Sequence, residues 1–190
     1  MMLTNIANLQ DSFLIAMPSL NDNNFRRAVT YIFNHDAQGT AGLIINQPLN
    51  ISFEHVLKQL GICDLPRSQK IVPVCRGGPV EPNSGFLLHM TESFSEKDCI
   101  RIGADVSLAT SKDFLEKFAV TLKSVAGLFA IGHASWAPGQ LESEISRGFW
   151  LCSKADKDII FKVPFEQRWN TAIEQMGVDI SHLSSDIGHA

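Results

Sequence analysis

The chain has 190 residues, enough for a domain with a sizeable hydrophobic core. Only 19 % of the residues are charged and the net charge is −4, which argues against broad nucleic-acid binding, because such binding needs clustered lysine and arginine. No stretch approaches the roughly 18 apolar residues of a membrane span, and the first residues lack the pattern of a secretory leader. The sequence therefore predicts one cytoplasmic domain over residues 1–190, without membrane association.

The first third of the chain predicts an antiparallel meander. Apolar and β-branched runs predict strands at residues 13–17, 28–33 and 41–46. The polar connection from Asn34 to Gly39 is typical of a hairpin turn.

Four stretches predict helices, because their apolar residues recur at helical spacing. In residues 52–60, Ser52 is a candidate N-cap and Asn50 is the alternative, and residues 111–122 carry a second apolar stripe. Residues 140–147 give a short pattern, and residues 164–176 give the clearest one, with a proline in the first turn.

Shorter apolar runs predict the remaining strands, and they lie at residues 71–75, 85–90, 106–108, 128–131 and 158–163. Pro73 indicates a sheet edge or a bulge. Because strands come in clusters joined by short turns, the sequence predicts a single compact α+β domain with three to four helices.

The cysteines are expected to be reduced core residues, because no pair has the CxxC spacing of a structural zinc site. Cys75 stands beside Arg76, which could lower a thiol pKa, but its apolar neighbour Val74 favours a buried, inert thiol. The four positions are Cys63, Cys75, Cys99 and Cys152.

The densest group of polar and conformationally special residues is a predicted turn at 132–140, between a strand and a short helix. The backbone N–H groups of a helix that starts there would attract an anion. Candidate ligand-binding residues in this stretch are His133, Ser135, Trp136, Gln140 and Glu144. The alternative is that these side chains satisfy the backbone and each other.

Gln140 and Glu144 are four residues apart and share one helix face, so Glu144 could bind a ligand or act as a general base. We predict that His133 and Glu144 lie on the same side of the junction, with Arg76 within reach.

The second candidate stretch is Arg76-Gly77-Gly78, at the end of a predicted strand. Arg76 could hold a carboxylate or phosphate with two hydrogen bonds, and the glycine N–H groups could assist. The alternative is a turn shaped by glycine. The stretch matches neither a P-loop nor a dinucleotide-binding motif.

His35, His89 and His133 each lie near the end of a predicted strand, but no HExxH or HxH spacing occurs, and the sequence predicts neither a metal nor a cofactor. No GxSxG motif is present, so the catalytic residues stay unknown. His35, Asn46 and His89 are secondary candidates for ligand binding.

Segments across most of the chain resemble the AlgH/YqgE family of bacterial proteins. The most specific is AIGHASWAPGQLESEI at 130–145, and the others are FLIAMPSL at 13–20, FRRAVTYIFNHD at 25–36, GTAGLIINQPL at 39–49, RGGPV at 76–80, GFLLHM at 85–90, FWL at 149–151, RW at 168–169 and GHA at 188–190. The resemblance implies a compact α+β domain with a mostly antiparallel central sheet. It also implies a role in transcriptional regulation of exopolysaccharide synthesis, and it supplies no catalytic residue or cofactor.

Three functional hypotheses follow. The first is a binding or adaptor module for a protein partner or a small anionic or polar ligand. The second is a transcriptional regulator, although the scattered basic residues predict no sequence-specific nucleic-acid binding. The third is an enzyme of unknown class that uses His133, Glu144 and Arg76.

Overall fold

The computed structural model describes residues 8–62, 72–91, 94, 99–121 and 125–178. These residues form an α+β domain whose strands are β1 Ser12–Ala16, β2 Val29–Asp36, β3 Gly39–Ile44, β4 Val74–Arg76, β5 Val80–Met90, β6 Ile100–Arg101, β7 Val106–Ala109, β8 Gly127–Trp136 and β9 Trp150–Lys154. They make one curled, mostly antiparallel sheet in the order β6-β7-β5-β8-β3-β2-β1-β9. The remaining strand, β4, pairs with β8 in parallel.

Five helices accompany the sheet within these residues, and they are α1 Phe53–Gln59, α2 Lys112–Val120, α3 Gln140–Ser146, α4 Lys157–Phe161 and α5 Arg168–Glu174. The Ser52 hydroxyl accepts a hydrogen bond from the His55 N–H and caps α1, as the sequence predicts. Ser111 caps α2 in the same way. In the part of the chain that is described, no helix combines the length and apolarity needed to cross a membrane.

The predicted meander is confirmed. β1 pairs with β2, and β2 with β3, both antiparallel, and the β2–β3 hairpin closes at Asp36 and Gly39. The predicted edge position of Pro73 fits β4, a three-residue strand that follows the proline and pairs with β8.

Three local predictions need correction. Residues 158–163 do not form a strand: residues 158–161 belong to helix α4 and Lys162 is its C-cap, because Asp156 caps the first turn and Ile159 and Ile160 pack inward. A short apolar run does not separate helix from strand. The helix predicted at residues 164–176 is confirmed but shorter: α5 runs from Arg168 to Glu174, since the Gln167 N–H bonds to Pro164 O in a tighter turn. The predicted turn at 132–140 is strand as far as Trp136, because this segment pairs with β3.

The hydrophobic core lies on both faces of the sheet. Neighbouring residues of β1 show the division, because side chains alternate along a strand: Phe13 packs under α4 and α5, whereas Leu14 packs with Trp136 and Trp150 under α3. A third cluster, around Phe129, packs under α1 and α2.

Between β4 and β5 the chain crosses over β8, from one edge of that strand to the other. The crossing is close: a Cβ atom on Gly77 would lie 2.2 Å from Gly132 O, and one on Gly78 would lie 2.2 Å from the His133 backbone. Gly132 has φ +72, a backbone conformation that is strained for a residue with a side chain. The contact between the two backbones therefore explains why glycine occurs at all three positions.

Candidate functional site

The candidate residues fall into groups on the two faces of the sheet. Gln140 and Glu144 lie on α3, on the face where Trp136 is buried. His133 contacts the rings of Phe33 and Phe86, which belong to the cluster under α4 and α5 on the other face.

Glu144 is the centre of a hydrogen-bonded group that attaches α3 to the sheet. Its Oε2 atom accepts hydrogen bonds from Trp136 Nε1 at 3.0 Å and from Trp150 Nε1 at 2.8 Å. Its Oε1 atom accepts one from Gln140 Nε2 at 2.9 Å. The predicted Gln140–Glu144 proximity is confirmed, and both carboxylate oxygens are used within the protein. Gln140 Oε1 also accepts the Ala137 N–H.

Arg76 lies at the end of β4 and is partly buried. One guanidinium nitrogen donates to Asn24 Oδ1 at 2.6 Å, and the Arg76 N–H donates to Gln47 O. Among the described residues, no carboxylate lies within 4.0 Å of this guanidinium. Arginine has five N–H donors, so most of its donor capacity is unused within the described part of the chain.

Arg76 and the Glu144 group are connected through two consecutive residues of the loop before β2. Asn24 binds Arg76, and Phe25 packs on Trp136 and Trp150 with ring centroids 5.8 and 5.3 Å apart. Gly77 and Gly78 are buried in the crossing over β8, and the Gly77 N–H donates to Ile131 O.

His133 and Glu144 do not share one side of the junction, contrary to the sequence prediction. Trp136, which binds Glu144, is three positions after His133 in β8, and an odd separation places two side chains on opposite faces of a strand. Ser135, two positions after His133, is exposed on the same face as the histidine.

One ring nitrogen of His133 lacks a hydrogen-bond partner among the described residues. Its Nδ1 atom is buried without a hydrogen-bond partner, and the nearest carboxylate oxygen, Glu81 Oε2, is 4.0 Å away. Buried polar groups are normally hydrogen-bonded, so this atom calls for an explanation. An imidazole with one nitrogen held by a carboxylate can accept a proton or hydrogen bond at the other.

The secondary candidates lie apart from one another. His35 is hydrogen-bonded to Thr40 and lies 3.6 Å from Glu142 of α3. Asn46 accepts the Val29 N–H and donates to Arg27 O, which fixes the loop before β2. His89 is fully buried beside Phe114. No group of three or more potential metal ligands occurs among the described residues.

Sequence reasoning missed two residues with unusual environments. Glu81 has a left-handed backbone, with φ 48, and no sequence pattern signals this at a glutamate. Arg168 is buried, donates to Ile45 O and Val163 O, and lies over the Phe165 ring at 4.1 Å. Burial lowers its pKa to about 10, so it keeps its charge at neutral pH.

The predicted inert character of Cys75 is supported, because burial raises the pKa of its thiol to about 12. Cys152 is also buried, whereas Cys99 is partly exposed. Cys63 lies outside the described residues.

The fold is shared with solved structures. The chain matches the solution structure of the AlgH protein from Pseudomonas aeruginosa with a TM-score of 0.77 and 38 % identity, covering 100 % of both chains. It also matches the crystal structure of protein DIP2367 from Corynebacterium diphtheriae with a TM-score of 0.74, 94 % coverage of this chain and 92 % of the other. At 20 % identity, the second match shows the fold alone.

Sequence comparison identifies the family. The AlgH-like family model matches residues 13–181. A UPF0301 protein of Nitrosococcus oceani is 40 % identical over 95 % of this chain and 96 % of its own length. The UPF0301 protein YqgE of Escherichia coli is 43 % identical over 96 % of this chain and 100 % of its own. The chain therefore belongs to the AlgH/YqgE family.

Proposed function

We propose that the protein is a binding module that recognises an anionic group through Arg76. The observation that supports this proposal is the guanidinium itself, which is partly buried, held by Asn24 and without a carboxylate within 4.0 Å among the described residues. A fixed guanidinium with unused donors is suited to a carboxylate or phosphate, which it can bind with two parallel hydrogen bonds.

The surroundings of Arg76 favour recognition over catalysis. Glu144 and Gln140, the other candidates on this face, are engaged in attaching α3 to the sheet. Because both Glu144 oxygens accept hydrogen bonds within the protein, this carboxylate is not presented as a free base to a substrate. The anionic group can belong to a small ligand or to a protein partner, because the chemistry is the same.

Transcriptional regulation is the alternative implied by the resemblance. With a net charge of −4, the chain is poorly suited to the phosphate contacts that dominate DNA affinity. In a regulatory role, the protein would therefore bind a protein partner that presents the anionic group, rather than DNA. The cytoplasmic location remains a prediction from the sequence.

Inorganic phosphate is a suitable probe for Arg76. In a titration followed by NMR, we expect saturable shifts at the Arg76 Nε–H and at the Asn24 amide. Arg76→Gln should weaken binding by roughly tenfold or more, because a charged hydrogen bond contributes about 1.5–3 kcal/mol.

Arg147→Gln is the matched control, since Arg147 is exposed at the end of α3 and should not affect binding. The proposal fails if phosphate produces no saturable shift. It also fails if Arg76→Gln and Arg147→Gln bind phosphate as the native chain does.

A further inference from the structure

A second polar group lies on the sheet face that carries His133, and the irregular pairing of β5 with β8 creates it. Val80 pairs with His133, but the next pair is Gly85 with Ile131. Four residues of β5, 81–84, therefore lie opposite the single residue Gly132. This bulge brings Glu81 beside the histidine and Ser84 into contact with Glu81.

Glu81 has a conformation that costs energy. Its φ of 48 is in the left-handed region, which a residue other than glycine rarely adopts, and such conformations concentrate at functional sites. Its carboxylate accepts a hydrogen bond from Ser84 Oγ at 3.1 Å and keeps 61 % of its side chain exposed. The carboxylate is therefore free to move the short distance to His133.

His133 lacks the partner that this carboxylate can supply. The gap from Nδ1 to Glu81 Oε2 is 4.0 Å, too long for a hydrogen bond. A rotation of the exposed glutamate closes it and gives the buried Nδ1–H an acceptor. The other ring nitrogen, Nε2, is not buried in this way, and no described residue forms a hydrogen bond with it. Nε2 can therefore accept a hydrogen bond from a ligand.

Aromatic rings adjoin the imidazole on the same face. The ring centroids of Phe86 and Phe33 lie 5.5 and 6.4 Å from that of His133, both in edge-to-face geometry. Phe86 is buried in the core, Phe33 is partly exposed, and Ser135 is exposed on the same face of β8. The histidine is thus backed by Phe86 and has one partly exposed aromatic ring, Phe33, beside it.

We propose that His133, Glu81 and Phe33 form a binding site for a ligand that joins a hydroxyl or N–H donor to an apolar ring. Glu81 holds Nδ1–H, Nε2 accepts the hydrogen bond of the ligand, Phe33 contacts its ring, and the buried Phe86 supports the imidazole from behind. This site is independent of Arg76, because it depends on the β5 bulge and on neutral hydrogen bonding.

Phenol is the simplest probe with both features. In a titration followed by long-range ¹H–¹⁵N NMR of the histidine rings, we expect phenol to shift the His133 Nε2 resonance and the amides of Val80 and Ser135. Glu81→Gln should weaken phenol binding several-fold. It should leave the melting temperature nearly unchanged, because the side chain is exposed.

The chain offers a matched control in its other histidine–glutamate pair, His35 with Glu142 at 3.6 Å. Glu142→Gln should leave phenol binding unchanged. Equal binding by the native chain and Glu81→Gln, or shifts confined to residues away from β5 and β8, would overturn the proposal.

Chemical modification gives a second measurement that needs no variant. Diethylpyrocarbonate acylates accessible neutral imidazole nitrogens, and peptide mass spectrometry locates the product. We expect phenol to slow acylation of His133 but not of His55, which is exposed on α1. Equal rates at His133 with and without phenol would contradict the site.

Discussion

His89 shows how a single buried side chain makes the stability of the fold depend on pH. It is fully buried and stacks on Phe114 at 4.8 Å, with Nδ1 3.0 Å from Met90 O and Nε2 without a partner. Burial lowers its pKa below the ordinary value of 6.5, against the smaller opposing effect of the hydrogen bond. The folded protein therefore holds His89 neutral, as a structural residue.

The consequence is a loss of stability in acid. Below pH 6.5 the unfolded chain binds a proton at His89 before the folded chain does, so the free energy of unfolding falls as the pH decreases. His89→Phe should flatten this dependence, because phenylalanine stays neutral in both states. Urea unfolding at a series of pH values between 7 and 5 measures the effect. The control is His55→Phe on exposed α1, which should keep the native slope; equal slopes for native and His89→Phe proteins would contradict the assignment.

At the scale of elements, α3 depends on its contacts with the sheet. It has seven residues, begins after the left-handed Gly139 without a side-chain cap, and buries one residue, Leu141. A helix this short is marginal by itself. The three hydrogen bonds of Glu144, two of them from buried tryptophans, therefore carry much of its attachment.

Glu144→Ala should lower the free energy of unfolding by about 2–4 kcal/mol, since it leaves two buried indole N–H groups unsatisfied. Glu142→Ala on the same helix removes a long contact to His35 and an acidic side chain in the first turn, and should cost about 1 kcal/mol or less. Chemical denaturation of both variants measures the difference. Similar losses would show that the Glu144 group does not hold α3.

Local signals explain which elements could be predicted from the sequence. Ser52 and Ser111 are N-caps where periodicity and capping agree, and the hairpin at Asn34–Gly39 has its own turn chemistry. The extension of β8 to Trp136 could not be predicted, because it depends on pairing with β3, about 95 residues earlier in the chain. The crossing at Gly77 and Gly78 is equally nonlocal.

For the whole molecule, the sheet decides which candidate residues can act together. The Gln140–Glu144 pair follows from helical spacing and needs no tertiary information. The relation of His133 to Glu144 depends on whether residues 132–136 are turn or strand. In a turn, sequence spacing does not fix the directions of the side chains. In a strand, residues separated by an even number of positions point to the same face, and residues separated by an odd number point to opposite faces. Glu81 was missed for the same reason, because the bulge exists only where β5 meets β8.

His133 and Glu144 have separate sets of contacts on the two faces of β8. The contacts of His133 are with Phe33, Phe86 and Glu81, and those of Glu144 are with Trp136, Trp150 and Gln140, so the two residues share no described partner. Residues without shared partners have additive effects on stability, within about 0.3–0.5 kcal/mol.

We therefore expect His133→Ala and Glu144→Gln to be additive in a double-mutant cycle measured by denaturant unfolding. A single buried network containing both residues would instead give a coupling energy of about 0.5–3 kcal/mol. The cycle of Trp136→Phe with Glu144→Gln is the positive control, because the indole N–H donates directly to the carboxylate and should show coupling in that range. Coupling between His133 and Glu144 as large as in the control would mean that the two faces of β8 act as one site, contrary to the structure.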